Sequence, residues 1–186
     1  MTEMEEYAWV LDFMPQGRAS GREPEPLAQI IGEKYFTLLE VIPKAGAAMP
    51  IESKVYVGKD GRVEIDHIKR RMELGDLTNT ARSELNPVLK KIINAREADF
   101  VRFFNKCGPV SIRLHQLELL PGVGKKHMEQ ILEERESKEF ANFKEIQERV
   151  TLLSDPVNIV VTRIEKELAG TEKHYLFAKP PAMKRE

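Results

Sequence analysis

The chain has 186 residues, 41% hydrophobic and 32% charged, the profile of a folded globular protein rather than a disordered one. Its formal net charge of −1 argues against a protein that coats nucleic acid by bulk charge, so any such binding must come from local geometry, helix dipoles and small basic clusters. No apolar run approaches the roughly 20 residues of a membrane helix, and the acidic start MTEMEEYAWV lacks the order of a signal peptide. Cys107 is the single cysteine, so neither an intrachain disulfide nor a cysteine zinc site is expected. A cytoplasmic protein with no cofactor and no membrane partner is the simplest reading.

The first part of the chain reads as strands. Tyr7–Phe13 is rich in aromatic and branched residues and ends at Pro15. Met14–Pro26 is polar and heavy in Gly and Pro, a long exposed loop. Ala28–Gly32 and Tyr35–Ile42 form the next pair, stopped by Pro43. Lys54–Val57 and Arg62–Ile65 flank Gly58-Lys59-Asp60-Gly61, which predicts a hairpin. About five short strands with one long loop predict a small closed barrel over residues 1–75, an oligonucleotide-binding (OB) barrel or a related one.

Residues 76–186 read as a helical domain. Leu77, Ala81, Leu85, Val88, Leu89, Ile92 and Ile93 recur at three- and four-residue spacing, with Pro87 expected to kink or split the run. A helix over Glu97–Lys106 ends at Gly108-Pro109. Ser111 is placed as N-cap of a helix over Ile112–Leu120. Helices over Lys125–Arg135, Phe143–Val150 and Asp155–Leu168 follow, the last introduced by Ser154-Asp155-Pro156. Tyr175-Leu176-Phe177 reads as a terminal strand. The overall expectation is an α+β protein.

Residues 117–135 resemble the helix-hairpin-helix motif of DNA- and RNA-binding proteins, through Leu120-Pro121-Gly122-Val123-Gly124 and its flanks. Leu117 and Leu120 would pack against Met128, Ile131 and Leu132, and Val123 would anchor the turn. Pro121 stops the first helix, while Gly122 and Gly124 allow backbone angles and approaches closed to other residues. The free N–H groups and positive dipole end of the next helix favour an anion. Lys125 and Lys126 oppose that dipole, which a bound phosphate explains better than helix stability does. A degenerate second hairpin over residues 143–168 lacks Gly-x-Gly and carries Asp155, so it is expected to support rather than bind. Phe143, Ile146, Val150, Ile159, Val160 and Ile164 would pack it.

In the barrel half, Arg18 and Arg22 of the long loop, Lys54, Tyr56 and Lys59 near the expected hairpin, and Lys69-Arg70-Arg71 are candidate contacts for RNA or DNA. Trp9, Tyr35 and Phe36 are candidate stacking platforms. The whole chain resembles an uncharacterised archaeal-type family that joins an OB-like barrel to a helix-hairpin-helix module. That resemblance rests on Tyr7–Phe13, the order of the halves and the Leu-Pro-Gly-Val-Gly signature. It implies nucleic-acid binding and brings no assigned enzyme activity.

Catalysis is not expected. DNA glycosylases of the lyase type carry a similar hairpin, and Lys126 falls where their nucleophilic lysine lies. They also need a downstream aspartate, and no Asp lies between Lys126 and Phe143. His67, His115, His127 and His174 have no metal-ligand spacing. Cys107 reads as a small buried residue. The rival to nucleic-acid binding is a protein-interaction scaffold, suggested by Glu118, Glu129, Glu133, Glu134, Glu136 and Glu139 around the hairpin. Protein partners in a nucleic-acid-processing or translation complex fit either reading.

Overall fold

The computed structural model describes residues 4–19 and 24–182. It is an α+β chain that clusters into two compact units, Met1–Val88 with Lys166–Glu186, and Leu89–Glu165. The division falls inside two helices, whereas the sequence reading draws a single boundary at 75–76.

Unit 1 is built on five antiparallel strands: β1 (Tyr7–Met14), β2 (Leu27–Gly32), β3 (Leu38–Pro43), β4 (Lys54–Tyr56) and β5 (Ile65–Arg71). They form one curled sheet in the order β4-β1-β2-β3-β5, a half-barrel. Register shifts at Val10/Asp12, Glu40/Val41 and Ile42/Pro43 mark bulges, which bend strands and increase twist. Among the described residues β4 and β5 share no ladder, so the expected closed barrel is open at that seam. The hairpin expected across Gly58–Gly61 does not form either. Arg62 Nε donates to the Val57 and Gly58 carbonyls at 3.2 and 2.7 Å, turning the chain there. The next strand starts only at Ile65 and joins β3.

One face of the sheet packs Ala8, Val10, Ala28, Ile30, Val41, Val55 and Ile65 into the core. The alternate positions of β2 and β3 are buried as well, so these strands are covered on both sides. On that second side register pairing aligns a polar row across four strands, Asp12, Gln29, Glu40 and Arg70. Each member is satisfied, as burial of polar groups requires. Thr78 Oγ1 donates to Asp12 and the Thr78 N–H to Gln29, while Gln29 donates to the Asp76 carbonyl. Thr78 also accepts from the Ala81 N–H, so the residue that caps the first helix fastens it to the sheet.

Among the described residues five helices follow: α1 (Asn79–Ala95), α2 (Glu97–Lys106), α3 (Lys125–Ser137), α4 (Phe143–Arg149) and α5 (Pro156–Leu168). α1 runs unbroken through Pro87. The helix expected over Ile112–Leu120 is replaced by a short hairpin, β6 (Pro109–Ser111) and β7 (Leu114–His115), and one 3-10 turn at Gln116–Leu119. Val110, Ile112 and Leu114 alternate with polar residues, which suits a ribbon, and only Leu117 and Leu120 need burial. Tyr175–Phe177 is not a strand. The N–H groups of Leu176, Phe177 and Ala178 instead donate to the buried Glu167 carboxylate at 2.9 to 3.1 Å.

Candidate nucleic-acid interface

The chain reverses at Leu120–Val123, where the Val123 N–H donates to the Leu120 carbonyl at 3.1 Å and Gly122 takes φ +78°. That angle is closed to most side chains, so glycine is required there. Leu117, Leu120, Val123 and Ile131 are buried and hold the turn from beneath; Met128 and Leu132 are partly buried. His127 Nδ1 donates to the Gly122 carbonyl at 3.2 Å, which fixes the turn against α3.

α3 then begins with Gly124 as N-cap and no side chain capping it. Its first-turn N–H groups have no intrahelical acceptors. Lys125 and Lys126 are exposed and make no ion pair among the described residues. The first turn contains no acid. This is a positive helix end without its own counter-charge.

A second turn with the same plan lies at Val150–Leu153. The Leu153 N–H donates to the Val150 carbonyl at 3.4 Å, Leu152 takes φ +60°, and Leu153 is buried as Val123 is. The helix after it, α5, is capped from within: Asp155 Oδ1 accepts from the Val157 N–H at 3.0 Å. The cap is therefore Asp155. The two turns brace each other reciprocally. Arg163 of α5 donates to the Leu119 carbonyl at 3.2 Å, one residue before the first turn. Gln130 of α3 donates to Thr151 Oγ1 at 3.1 Å and to the Arg149 carbonyl, one residue before the second.

The approach to the first turn is also fixed. His115 Nδ1 accepts from the Leu117 N–H at 3.1 Å, while Glu118 accepts from the His115 N–H at 2.7 Å. Burial, and then the Arg135 charge, lower the His115 pKa, with Glu118 opposing. At the far end of α3, Arg135 donates to the Phe104 and Cys107 carbonyls at 3.1 and 2.8 Å. Burial pushes the Cys107 thiol up, so it stays protonated.

The barrel-half candidates do not form one site. Arg18 is held by Glu40 at 2.6 Å, and Arg70 shares that buried carboxylate. Arg22 lies outside the described residues. Lys54 sits 4.6 Å above the Tyr7 ring and pairs with Glu33 at 2.9 Å. The Tyr56 ring meets Tyr7 edge-on at 5.4 Å, so Lys54 and Tyr56 come together. Lys59 is exposed in the following turn. Phe36 is buried core rather than a platform, and the Trp9 indole N–H is spent on Glu33 at 2.9 Å. Sequence reasoning missed the β6–β7 hairpin, although the alternation of Val110, Ile112 and Leu114 announces it. It also missed the bracing pair Arg163 and Gln130, for which no local pattern exists.

Among the described residues no group of three metal-ligating side chains comes together, and no helix is long and apolar enough to cross a membrane. Fold and site define an α+β protein with one unit on a curled five-stranded sheet and another on two braced helical turns. The chain belongs to the family described as protein of unknown function (DUF655), which matches residues 4–179. It is 46% identical over 179 residues to uncharacterized protein MJ0038 of Methanocaldococcus jannaschii, covering 95% of this chain and 81% of that one. It is also similar to the crystal structure of Af1531 from Archaeoglobus fulgidus, with TM-score 0.89 and 44% identity over 94% of this chain and all of that one.

Proposed function

We propose that this protein binds nucleic acid, without chemistry on it, by holding backbone phosphate at the N-terminus of α3. On this reading the first turn is a helix-hairpin-helix whose leading helix has shrunk to a 3-10 turn, and the curled sheet of unit 1 offers an OB-like second surface around Lys54, Tyr56 and Lys59. The observation that carries it is the difference between the two turns. Where no ligand is needed, Asp155 supplies the anion that a helix N-terminus favours. Where the ligand would sit, the cap is a glycine and the next residues are Lys125 and Lys126. Helix stability alone would select the opposite charges.

The acidic residues that suggest a protein scaffold are partly accounted for inside the molecule. Glu118 accepts from His115, Glu134 pairs with Arg149 at 3.0 Å, and Glu139 pairs with Lys106. This weakens the scaffold reading and leaves phosphate binding as the better account.

The test is fluorescence anisotropy of labelled single- and double-stranded RNA and DNA at low and moderate salt. For about three phosphate contacts, duplex affinity falls some tens-fold between about 50 and 200 mM salt. A folded Gly122→Glu, Lys125→Glu variant loses that binding. Absence of binding by the wild type to any of the four ligands at low salt sinks the proposal.

A further inference from the structure

The β6–β7 hairpin has a tip that nothing in the fold explains. Ile112 is fully exposed at the turn between the strands, Val110 is exposed beside it, and Arg113 follows. An isolated exposed isoleucine is ordinary on a surface, but this one is held out on a rooted support. The Gln116 N–H donates to the Gly108 carbonyl at 3.0 Å, and the Gly108 N–H donates to Gln116 Oε1 at 2.9 Å. His115 both ends β7 and caps the 3-10 turn leading into the Leu120 reversal. The root is tied to the last turns of α3 through Arg135 on Cys107, while Gly124 opens the same helix. At the rise of an α-helix, Lys125 and Arg135 lie about 15 Å apart, well within one turn of a duplex at about 34 Å.

Charge supplies the second observation. From Lys106 to Met128 the chain carries one carboxylate, Glu118, and that one is engaged at the His115 N–H. The same stretch holds Arg113, Lys125 and Lys126, besides Lys106, whose charge is met by Glu139. In a chain with 30 acids against 29 lysines and arginines, hairpin and first turn together carry more cations than acids, which suits one anionic partner for both.

We infer that the β6–β7 hairpin is a wedge for duplex nucleic acid. Ile112 enters a base step and unstacks it, Arg113 lies on the adjoining backbone, and the duplex bends around unit 2. Apolar side chains act in this way wherever the cost of unstacking is offset by the added contact that a bend allows. The inference rests on the proposed phosphate clamp and adds the ligand class, a duplex that can be kinked.

The test uses the full chain with DNA and RNA duplexes of about 20 base pairs labelled at both ends, so that energy transfer reports bending and anisotropy reports binding. The wild type draws the ends together, a bend of at least about 20°. Ile112→Ser, at a fully exposed tip, remains folded and leaves the duplex straight. Leu152→Ser removes an equally exposed apolar side chain from the self-capped turn and bends the duplex as the wild type does. Binding without bending, binding confined to single strands, or equal bending by wild type and Ile112→Ser overturns the wedge and leaves the clamp standing. A wild type that binds no nucleic acid overturns both.

Discussion

Glycine and leucine occupy equivalent places in the two braced turns, and the backbone treats them differently. Both residues sit at positive φ, +78° at Gly122 and +60° at Leu152. For a residue with a side chain the left-handed region costs roughly 1–2 kcal/mol. Gly122→Ala is therefore expected to lower stability by about 1 kcal/mol, although a Cβ there meets open space and no clash contributes. Leu152→Gly relieves the same strain but loosens the unfolded chain, so the two effects nearly cancel and stability stays level or rises slightly. Chemical denaturation of the two variants measures both. A large loss in the leucine variant would mean that the exposed side chain contributes contacts after all.

At the level of elements, buried carboxylates replace missing ladder partners. Glu167, at the end of α5, takes the N–H groups of three successive residues, and Glu5 takes those of Lys34, Tyr35 and Thr37. A hydrogen bond to a charged group contributes about 1.5–3 kcal/mol, and an amide in its place points two donors at donors. Glu167→Gln is expected to destabilise the fold by about 2–3 kcal/mol and to speed exchange of the amides at 176–178, read by hydrogen exchange. This device also shows where the sequence was legible. The periodicity of Leu85, Val88, Leu89 and Ile92 and the bounds of Glu97–Lys106 follow from local spacing and match the helices found. Tyr175-Leu176-Phe177 has strand composition, but its backbone is claimed by a carboxylate in the preceding helix. The register that seats Arg18 and Arg70 on Glu40 is equally non-local. Arg18 and Arg70 therefore look available in the sequence but are committed to the fold. Gly122 was legible because its positive φ is set within the turn itself, whereas Gly124 lies at φ −86° with open space where a Cβ would sit, so the special backbone expected of it is not found. The leading helix was misread because burial of Leu117 and Leu120 needs only one turn.

For the whole molecule, acid acts on the two units through different groups. The His115 imidazole in unit 2 has its pKa lowered from 6.5, chiefly by burial, so the unfolded chain takes up a proton before the folded one does. Its contribution to stability is complete above about 6.5 and is lost as pH falls through the folded value. Protonation also takes the Nδ1 lone pair that caps the Gln116 turn. Asp76 in unit 1 is lowered from 3.8, first by the Glu73 N–H and then by Arg70, so its contribution is complete above about 3.8 and is lost below. Acidification is expected to loosen unit 2 before unit 1. Hydrogen exchange at pH values of about 7.5, 5.5 and 3.5 follows the two separately, and His115→Asn, which can cap without titrating, should abolish the upper step.

Unit 1 is discontinuous in the chain: its sheet comes from the first part, while Glu167 and the segment ending in the Lys179 N–H bond to the Tyr35 carbonyl come from the last. Unit 2 is drawn from the one stretch between them. Synthesis runs from the N-terminus, so the strands leave the ribosome long before the residues that complete their unit. The helical unit is whole before the strand unit has received its final segment. In the nascent chain the later unit in sequence is thus the earlier one to be finished, and unit 1 must wait for residues 166–179.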